Sequence, residues 1–463
     1  MKTLRITLQD IFNIPTARIF NPDAFKSLLG VSIDTRTIKK NFLYVAIKGD
    51  KYDGHSFVSD AVKKGAGAII IKENRLKSFE NIDIPVITVK DTKKALGDLA
   101  ALWRSKLNAK VIALTGSNGK TTTKEILTTL LTEKFRVVAT KANNNNDIGV
   151  PLSIFEADAK TELLVLELGT NHFGEIEYTS NIAQPDIALI TNIGESHLEF
   201  LVNSDGVLNE KKALFDVTEK RSGKIILNAD DSRLNKLEKK YNRVVSFGFR
   251  NSNCVSGKIL ETDPMGRTKL RIVKDNKSKE FLISLPGKSN SYNFLAAVTI
   301  GLECGMSFNE IEKSAKRLKG VKQRLEVSEY KGLTLIDDTY NANPNSMIEA
   351  IELMKKIKRF KKKIAVLGDM FELGDEAPLI HRKLADVIQK SRINEVYLTG
   401  KLMNELYKEL KKRKVSAEYF QEREKLSELL KEEILLDSVV LVKGSRGMKM
   451  EEFVKTIKDT HGD

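Results

Sequence analysis

A glycine-containing turn between an apolar strand and a helix is the feature that most restricts the fold of this 463-residue chain. The apolar run at residues 111–114 predicts a buried strand, and a helix is predicted over residues 120–131. Between them lies Thr-Gly-Ser-Asn-Gly-Lys-Thr-Thr, residues 115–122. A strand, a glycine turn and a helix N-terminus in this order present backbone N–H groups to phosphate. The run therefore predicts a nucleotide-binding α/β domain, the alternative being an ordinary glycine turn.

The residue types in this turn suit a triphosphate with its metal ion. Glycines at 116 and 119 let the backbone approach the phosphates, a lysine at 120 would reach the outer phosphates, and the hydroxyl at 121 would ligate Mg²⁺. We therefore predict that ATP is held by a continuous stretch of seven residues: Gly116, Ser117, Asn118, Gly119, Lys120, Thr121 and Thr122.

Strands and helices alternate along most of the chain, which predicts an α/β protein. Short, almost wholly apolar strands at 163–168, 187–191 and 224–227 are typical of a parallel sheet buried on both faces. The alternation after residue 333 indicates a doubly wound sheet. We predict three domains: a small α/β domain at 1–107, a central P-loop domain with a parallel sheet at 108–318, and a Rossmann-like doubly wound domain at 319–463.

The charge of the chain allows several classes of anionic partner. Lys and Arg total 77 against 62 Asp and Glu, a net charge of +15, which suits nucleic acid, an anionic membrane surface, anionic substrates, or simply a solvated surface. The basic runs lack interleaved aromatic residues, so we expect no nucleic-acid binding. No apolar run is long enough to span a bilayer, so we expect no membrane insertion. The two separated cysteines, Cys254 and Cys304, favour a reducing cytoplasm.

Polar residues follow the apolar strands at the edge where open α/β sheets bind ligands. Glu167 ends the strand at 163–168 and could hold Mg²⁺, or could cap a neighbouring helix. His197 follows another strand of the same edge and is a second candidate, although a lone histidine is often structural. Lys211 could lose its proton near cations and react with carbon dioxide to give a carbamate; otherwise it is a surface charge.

Four runs together resemble the central domain of the Mur ligase family: residues 115–122, 144–151, 167–172 and 194–199. The resemblance implies two Mg²⁺ sites, one at Thr121 and Glu167 and one at His197 and a carbamylated lysine, which is Lys211 or its rival Lys212. It implies that Lys120, Glu167, His197 and Lys211 are catalytic. It also places further nucleotide contacts at Asn290, Asn293 and Arg324, and at Asp337 or its neighbour Asp338 for the ribose.

The two ends of the chain resemble particular members of this family. Residues 34–36, 42–49 and 53–57 resemble a uridine-nucleotide domain, and residues 337–344, 366–374 and 442–448 resemble the domain that binds the amine substrate. The implied substrate contacts fall in two groups, a uridine-nucleotide group and a dipeptide group: Ser32, Asp34, Thr35, Arg36 and Asn144; and Tyr340, Asn341 and Asn343.

The implied activity is an ATP-dependent peptide ligase of peptidoglycan synthesis that acts as a monomer. It would join D-alanyl-D-alanine to the terminal carboxylate of a UDP-N-acetylmuramoyl-tripeptide through an acyl phosphate, releasing ADP and phosphate. The alternatives are the sibling ligase that adds the third amino acid and a basic P-loop NTPase that acts on nucleic acid. The sequence leaves the third residue of the tripeptide open.

Overall fold

The computed structural model of the chain describes residues 5–250, 252–330, 332–432 and 437–461. The described residues form three β-sheets, of five, nine and six strands, each covered by helices. Residues 1–4 and 462–463, at the outer ends of the first and third predicted domains, lie outside the described part. The α/β class with three sheet-based units is confirmed.

The first sheet has the strand order β1-β5-β4-β3-β2, in which only β1 runs antiparallel to its neighbour. Its strands and the helices of this part of the chain are β1 Arg18–Phe20, β2 Gly30–Ser32, β3 Phe42–Val45, β4 Ala68–Lys72 and β5 Val86–Val89, with α1 Leu8–Phe12, α2 Val58–Lys63 and α3 Thr92–Ser105.

Helix α3 connects the first sheet to the central part of the molecule. It begins after Asp91, whose Oδ1 accepts hydrogen bonds from the backbone N–H groups of Lys93 at 2.8 Å and Lys94 at 3.0 Å. Near its C-terminal end, the Trp103 indole donates to the carbonyl of Ala157 at 2.9 Å. The apolar face of the helix is thus buried against the central part of the chain rather than exposed.

The central sheet combines a parallel region with an antiparallel extension. Its order is β14-β13-β12-β11-β10-β9-β6-β8-β7, and the pairs β12–β13 and β13–β14 are antiparallel. Its strands are β6 Lys110–Thr115, β7 Val137–Ala139, β8 Leu163–Glu167, β9 Ile187–Ile190, β10 Lys224–Asn228, β11 Val244–Gly248, β12 Val255–Thr262, β13 Thr268–Lys274 and β14 Lys277–Ile283. Its helices are α4 Lys120–Leu131, α5 Gly149–Phe155, α6 Glu175–Ala183, α7 Leu198–Leu201, α8 Ser204–Lys220, α9 Ser232–Asn235, α10 Lys288–Glu303 and α11 Phe308–Ala315.

The order of this sheet places the glycine turn where the chain changes direction across the sheet. Strand β6 lies between β8 and β9, and the chain passes to the β8 side before it reaches β9. In open α/β sheets, ligands bind at the carboxyl ends of strands beside such a switch point. Helix α4 has the bounds predicted from the sequence.

The third sheet has the order β15-β16-β20-β17-β18-β19, parallel except for the edge strand β15. Its elements are β15 Glu326–Tyr330, β16 Leu333–Asp338, β17 Lys362–Gly368, β18 Glu395–Thr399, β19 Ala417–Phe420 and β20 Ser438–Lys443, with α12 Pro344–Lys356, α13 Ala377–Ser391, α14 Met403–Lys412, α15 Arg423–Glu432 and α16 Glu451–His461. Among the described helices, none combines the length and apolar character needed to cross a lipid bilayer.

Candidate active site

A cleft of about 330 Å³ lies between the carboxyl edge of the central sheet and the third sheet. The central part supplies the glycine turn and the ends of the loops after β8 and β9. The third part supplies the loops after β16, β17 and β20. The predicted site residues that line the cleft are Ser117, Asn118, Gly119, Lys120, Thr122, Glu167, His197, Asn290, Asn293, Arg324, Tyr340, Asn341 and Asn343.

The backbone of the glycine turn leaves no room for a side chain at its two glycines. Gly116 has φ +149°, and a Cβ atom there would lie 1.9 Å from Thr191 Oγ1. Gly119 has φ +79°, and a Cβ atom there would lie 2.4 Å from Asn293 Oδ1. Both positions therefore need glycine, because the backbone is left-handed or sterically enclosed there.

The glycine turn is hydrogen-bonded to the loop that follows β9. Ser117 Oγ accepts from the Gly194 N–H at 2.9 Å and donates to the Gly194 carbonyl at 3.1 Å. The Asn118 N–H donates to Asn192 Oδ1 at 3.0 Å. These contacts fix the turn from outside, so its backbone shape is set before a ligand arrives.

Lys120 begins helix α4 and folds back over the turn. Its Nζ donates to the Gly116 carbonyl at 2.7 Å. Burial lowers the pKa of Lys120, Glu167 acts in the opposite direction, and Arg324 lowers the pKa further. An anionic phosphate beside this lysine would restore the preference for the ammonium form.

Glu167, at the end of β8, has one carboxylate oxygen satisfied and one free. Its Oε1 accepts from Thr121 Oγ1 at 3.0 Å and from Asn145 Nδ2 at 2.9 Å. Its Oε2 is buried and has no hydrogen-bond partner among the described residues. A buried carboxylate oxygen beside a hydroxyl is an oxygen ligand set that fits Mg²⁺. The metal role predicted for Thr121 and Glu167 thus has the donor chemistry it needs.

His197 is paired across the cleft with the third part of the molecule. Its Nδ1 lies 2.6 Å from Glu372 Oε2, and hydrogen bonding to this imidazole lowers the pKa of Glu372. In the described part of the chain, no group of three or more His, Cys, Asp and Glu side chains forms a metal cage.

Lys211 is buried in α8, so it is not the surface charge of the alternative interpretation. Burial holds its pKa well below the usual range, and the nearby Lys120 ammonium lowers it further, against Glu210. The Glu210 carboxylate is engaged by the N–H groups of Gly174 at 2.7 Å and Ile176 at 2.8 Å. Lys211 lies beneath the cleft rather than in its lining.

The neighbouring Lys212, the rival for the carbamate, forms an ion pair with Asp216 on the same helix. This contact occupies the Lys212 amine, whereas the buried Lys211 has no carboxylate within ion-pair distance among the described residues. The local contacts therefore favour Lys211 over Lys212.

The two predicted adenine contacts form a short chain of amides at the start of α10. Asn293 Nδ2 donates to Asn290 Oδ1 at 3.3 Å, and Asn293 Oδ1 accepts from Thr123 Oγ1 at 3.2 Å. Asn290 Nδ2 donates to the Pro286 carbonyl at 2.7 Å. Asn293 also borders a second cavity of about 230 Å³ next to the glycine turn.

The third part of the molecule brings Arg324 and Tyr340 together. The guanidinium of Arg324 lies 3.8 Å from the centre of the Tyr340 ring, which is a cation–π contact. Asn341 Oδ1 accepts from the Arg446 N–H at 3.3 Å. Arg324, Tyr340 and Asn341 therefore lie together along one wall of the cleft.

Asp337 does not reach the cleft, which corrects its predicted placement. Successive residues of a strand point to opposite faces, and the side chain of Asp337 turns away to accept from Thr339 Oγ1 at 2.6 Å. Asp338 lines the cleft instead and pairs with Lys443 at 2.5 Å. Of the two aspartates considered for the ribose, Asp338 is the one that lines the cleft.

Two asparagines join the central and third parts directly. Asn343 Nδ2 donates to Asn118 Oδ1 at 2.8 Å, and Asn118 Nδ2 donates to Asn343 Oδ1 at 3.3 Å. Asn343 Oδ1 also accepts from the Ser346 N–H at 2.9 Å and so caps α12. The phosphate turn is thus hydrogen-bonded to the loop that precedes α12.

The predicted uridine-nucleotide residues lie together in a separate cavity of about 1150 Å³, between the first sheet and α5. Arg36 pairs with Asp34 at 2.6 Å, which lowers the pKa of that carboxyl. The predicted residues that line this cavity are Ser32, Asp34, Thr35, Arg36 and Asn144.

Three family descriptions match successive parts of the chain. "Mur ligase family, catalytic domain" matches residues 28–104, "Mur ligase middle domain" matches 114–301, and "Mur ligase, glutamate ligase domain" matches 323–446. A curated protein of Bacillus subtilis (strain 168) is 34% identical over 460 residues, which are 98% of each chain. It is named UDP-N-acetylmuramoyl-tripeptide--D-alanyl-D-alanine ligase.

The chain belongs to the Mur ligase family.

Solved structures of Mur ligases support this family assignment. "Crystal structure I of MurF from Acinetobacter baumannii" superimposes with a TM-score of 0.87 at 30% identity, covering 99% of each chain. The MurF ligase of Thermotoga maritima in complex with ADP superimposes with a TM-score of 0.82 at 28% identity, covering 93% of this chain and 97% of that one. This Mur ligase is an ATP-dependent, peptide-forming enzyme.

The sequence did not single out several residues that line the cleft of this Mur ligase. Glu372 and Arg446 stand in runs that the resemblance quoted, at 366–374 and 442–448, but only the fold shows that their side chains reach the cleft. Glu349 lies on α12 and lines the cleft, and no motif pointed to it. A spacing pattern cannot identify such residues, because their partners lie on other elements.

Proposed function

We propose that this Mur ligase joins D-alanyl-D-alanine to the terminal carboxylate of UDP-N-acetylmuramoyl-tripeptide, with cleavage of ATP to ADP and phosphate. The observation that carries this function is the end-to-end likeness to the Bacillus subtilis ligase, together with the cleft at the phosphate turn. The likeness extends over the amine-substrate part of the chain, where members of the family would differ. For that reason it favours this activity over the sibling ligase that adds the third amino acid.

An amide bond does not form from a carboxylate and an amine without activation, because the carboxylate oxygen is a poor leaving group. In the proposed reaction, the tripeptide carboxylate attacks the γ-phosphate of ATP and ADP leaves. The amine of D-alanyl-D-alanine then attacks the acyl carbon of the acyl phosphate, and inorganic phosphate leaves with the bonding electrons. Both steps require anions to approach one another.

The residues of the cleft are suited to reduce this repulsion. Lys120 and Arg324 lie close enough to influence each other electrostatically, and neither has a carboxylate partner in the described structure. They would hold and neutralise the triphosphate on two sides. The amides of Asn290 and Asn293 would meet the adenine, as the resemblance implies.

Thr121 and Glu167 would hold one Mg²⁺, and His197 with a carbamate on Lys211 would hold a second. Bound Mg²⁺ would supply positive charge that screens the phosphate and carboxylate oxygens. The depressed pKa of Lys211 supports the carbamate, since a neutral amine is the form that reacts with carbon dioxide.

We also propose a division of labour among residues 1–107, 108–318 and 319–463. The first would bind the uridine nucleotide in its 1150 Å³ cavity, the second ATP, and the third the dipeptide. The enzyme would act in the cytoplasm, where ATP and the nucleotide-linked substrate are available. It would act as a monomer.

The experiment that tests the function measures phosphate release and product mass with ATP, Mg²⁺ and UDP-N-acetylmuramoyl-tripeptide. Release that depends on D-alanyl-D-alanine, with formation of the pentapeptide product, is the expected result. Lys120→Ala should abolish it. Amide formation from UDP-N-acetylmuramoyl-dipeptide and a free amino acid instead would indicate the sibling ligase. Phosphate release stimulated by DNA or RNA without muropeptide would indicate a nucleic-acid NTPase.

A further inference from the structure

Five basic side chains line the cleft within the described residues, and two of them lie against carboxylates of the same cleft. Lys443 lies 2.5 Å from Asp338, and His197 lies 2.6 Å from Glu372. The other three have no carboxylate within ion-pair distance in the described structure: Lys120, Arg324 and Arg446. A cation in a cleft without an internal partner is available to a ligand anion.

Two of these three cations belong with the triphosphate. Lys120 opens α4 at the phosphate turn, and Arg324 is near enough to depress its pKa. Arg446 arrives from a different element, the short turn after β20. Its guanidinium lies 5.3 Å from the centre of the Tyr340 ring, against 3.8 Å for Arg324. Tyr340 thus contacts two arginines from different elements, of which only Arg324 is assigned to the nucleotide.

Arg446 is held beside the Tyr340–Asn341 loop but keeps most of its hydrogen-bonding capacity. Its backbone N–H donates to Asn341 Oδ1 at 3.3 Å, and its Nη1 makes a long contact of 3.4 Å with Gln323 Oε1. The side chain is exposed to the cleft. A guanidinium has five N–H donors, so a planar pair remains for a ligand.

We propose that Arg446 binds the carboxylate of D-alanyl-D-alanine and thereby selects an amine substrate that carries a free carboxyl group. The assignment rests on the proposed function and adds a residue to it. The dipeptide carboxylate takes no part in the bond that forms, so it is free to be held throughout. A guanidinium fork matches a carboxylate through two parallel N–H···O bonds. Holding this end leaves the amine at the other end to face the acyl carbon.

The test compares D-alanyl-D-alanine with D-alanyl-D-alaninamide, which lacks the negative charge. The wild-type enzyme should prefer the dipeptide in kcat/KM by about 10- to 100-fold, the value of charge-assisted hydrogen bonds. Arg446→Gln should lose about that factor with the dipeptide through a higher KM, and should change little with the amide. The KM values for ATP and the muropeptide should stay near those of the wild type.

Two further variants make the result specific. Arg446→Lys keeps the charge but not the fork, so it should recover part of the preference. Arg382→Gln removes an exposed arginine of the same part of the chain, outside the cleft, and should behave as the wild type. Turnover of the amide by Arg446→Gln shows at the same time that the variant is folded.

Equal losses on both substrates, or an unchanged preference in Arg446→Gln, would overturn the assignment while leaving the proposed function intact. Absence of amide product from the wild-type enzyme with D-alanyl-D-alanine would overturn the proposed function and the assignment with it.

Discussion

Two adjacent lysines of α8 have opposite environments, although a sequence cannot distinguish them. Lys211 is buried near the Lys120 ammonium, whereas Lys212 is partly buried and paired with Asp216. The helical rotation of 100° per residue produces this difference, since consecutive side chains leave the helix in different directions. Of the two, Lys211 is the one whose pKa burial lowers, as the proposed carbamate requires.

Lys211→Ala should lower kcat by about 100-fold or more, because the second metal site would lose its proposed anion. Short carboxylic acids such as acetate should restore part of the activity, since they fit the space vacated by the lysine side chain. Steady-state assays across an acetate series measure both effects. Lys212→Ala is the matched control and should retain most activity; loss and rescue at Lys212 instead would move the carbamate to that residue.

Glu167→Gln should raise the Mg²⁺ concentration needed for half-maximal rate by about tenfold or more. Glutamine can still accept from Thr121 and Asn145 through its one oxygen, but it replaces the unpartnered Oε2 with an N–H₂ group. A magnesium titration at saturating ATP measures the change, and thermal unfolding checks that the fold is kept. An unchanged magnesium requirement would place the metal elsewhere.

At the scale of elements, the parts predicted from sequence are those in which one local signal dominates. Strands β6, β8 and β9 are apolar on both faces and stand out as runs, and the turn and helix that follow β6 have their own signature. Strands β12 to β14 were missed. They are half-exposed and rich in charged residues, so their apolar positions do not form a run, and only their pairing with one another and with β11 defines them.

The phosphate turn also gives a prediction at this scale. Gly116→Ala should weaken ADP binding by about tenfold or more, because the added Cβ atom would lie 1.9 Å from Thr191 Oγ1, just after β9, and the turn must shift. Isothermal titration calorimetry measures the affinity.

Gly305→Ala is the control for backbone strain alone. Gly305 has φ +86° with nothing within 4 Å of an added Cβ atom, so it should lose about 1–2 kcal/mol of stability and no ADP affinity. If Gly116→Ala and Gly305→Ala bound ADP equally well, the phosphate turn would tolerate the added Cβ atom. The shape of the turn would then not depend on Gly116.

At the scale of the whole molecule, the cleft exists because distant parts of the chain meet. Asn118 and Asn343 are 225 positions apart and exchange two amide hydrogen bonds. Motifs predicted a binding role for each asparagine separately, but no spacing rule could predict that the two contact each other. Asp337 and Asp338 illustrate the same limit, since strand register in the folded sheet decides which one faces the cleft.

The asparagine pair should couple the nucleotide wall of the cleft to the dipeptide wall. Asn118→Ala removes both hydrogen bonds, and Asn343→Asp removes the Nδ2 donor while keeping the oxygen that caps α12. If the pair holds the two walls together during turnover, the two losses should not add. The kcat/KM of the double variant for D-alanyl-D-alanine should then be close to that of the poorer single variant, Asn118→Ala or Asn343→Asp. The coupling energy should be about 0.5–1.5 kcal/mol, as for one or two neutral hydrogen bonds.

A double-mutant cycle in kcat/KM measures this coupling, with ADP affinity determined on the same four proteins. Because the hydrogen bonds connect the walls and are separate from the adenine contacts, ADP affinity should change less than kcat/KM for the dipeptide. Strictly additive losses would mean that the two asparagines act independently, each on its own substrate. In that case the contact between the central and third sheets would be a feature of packing with no part in bringing ATP and the dipeptide together.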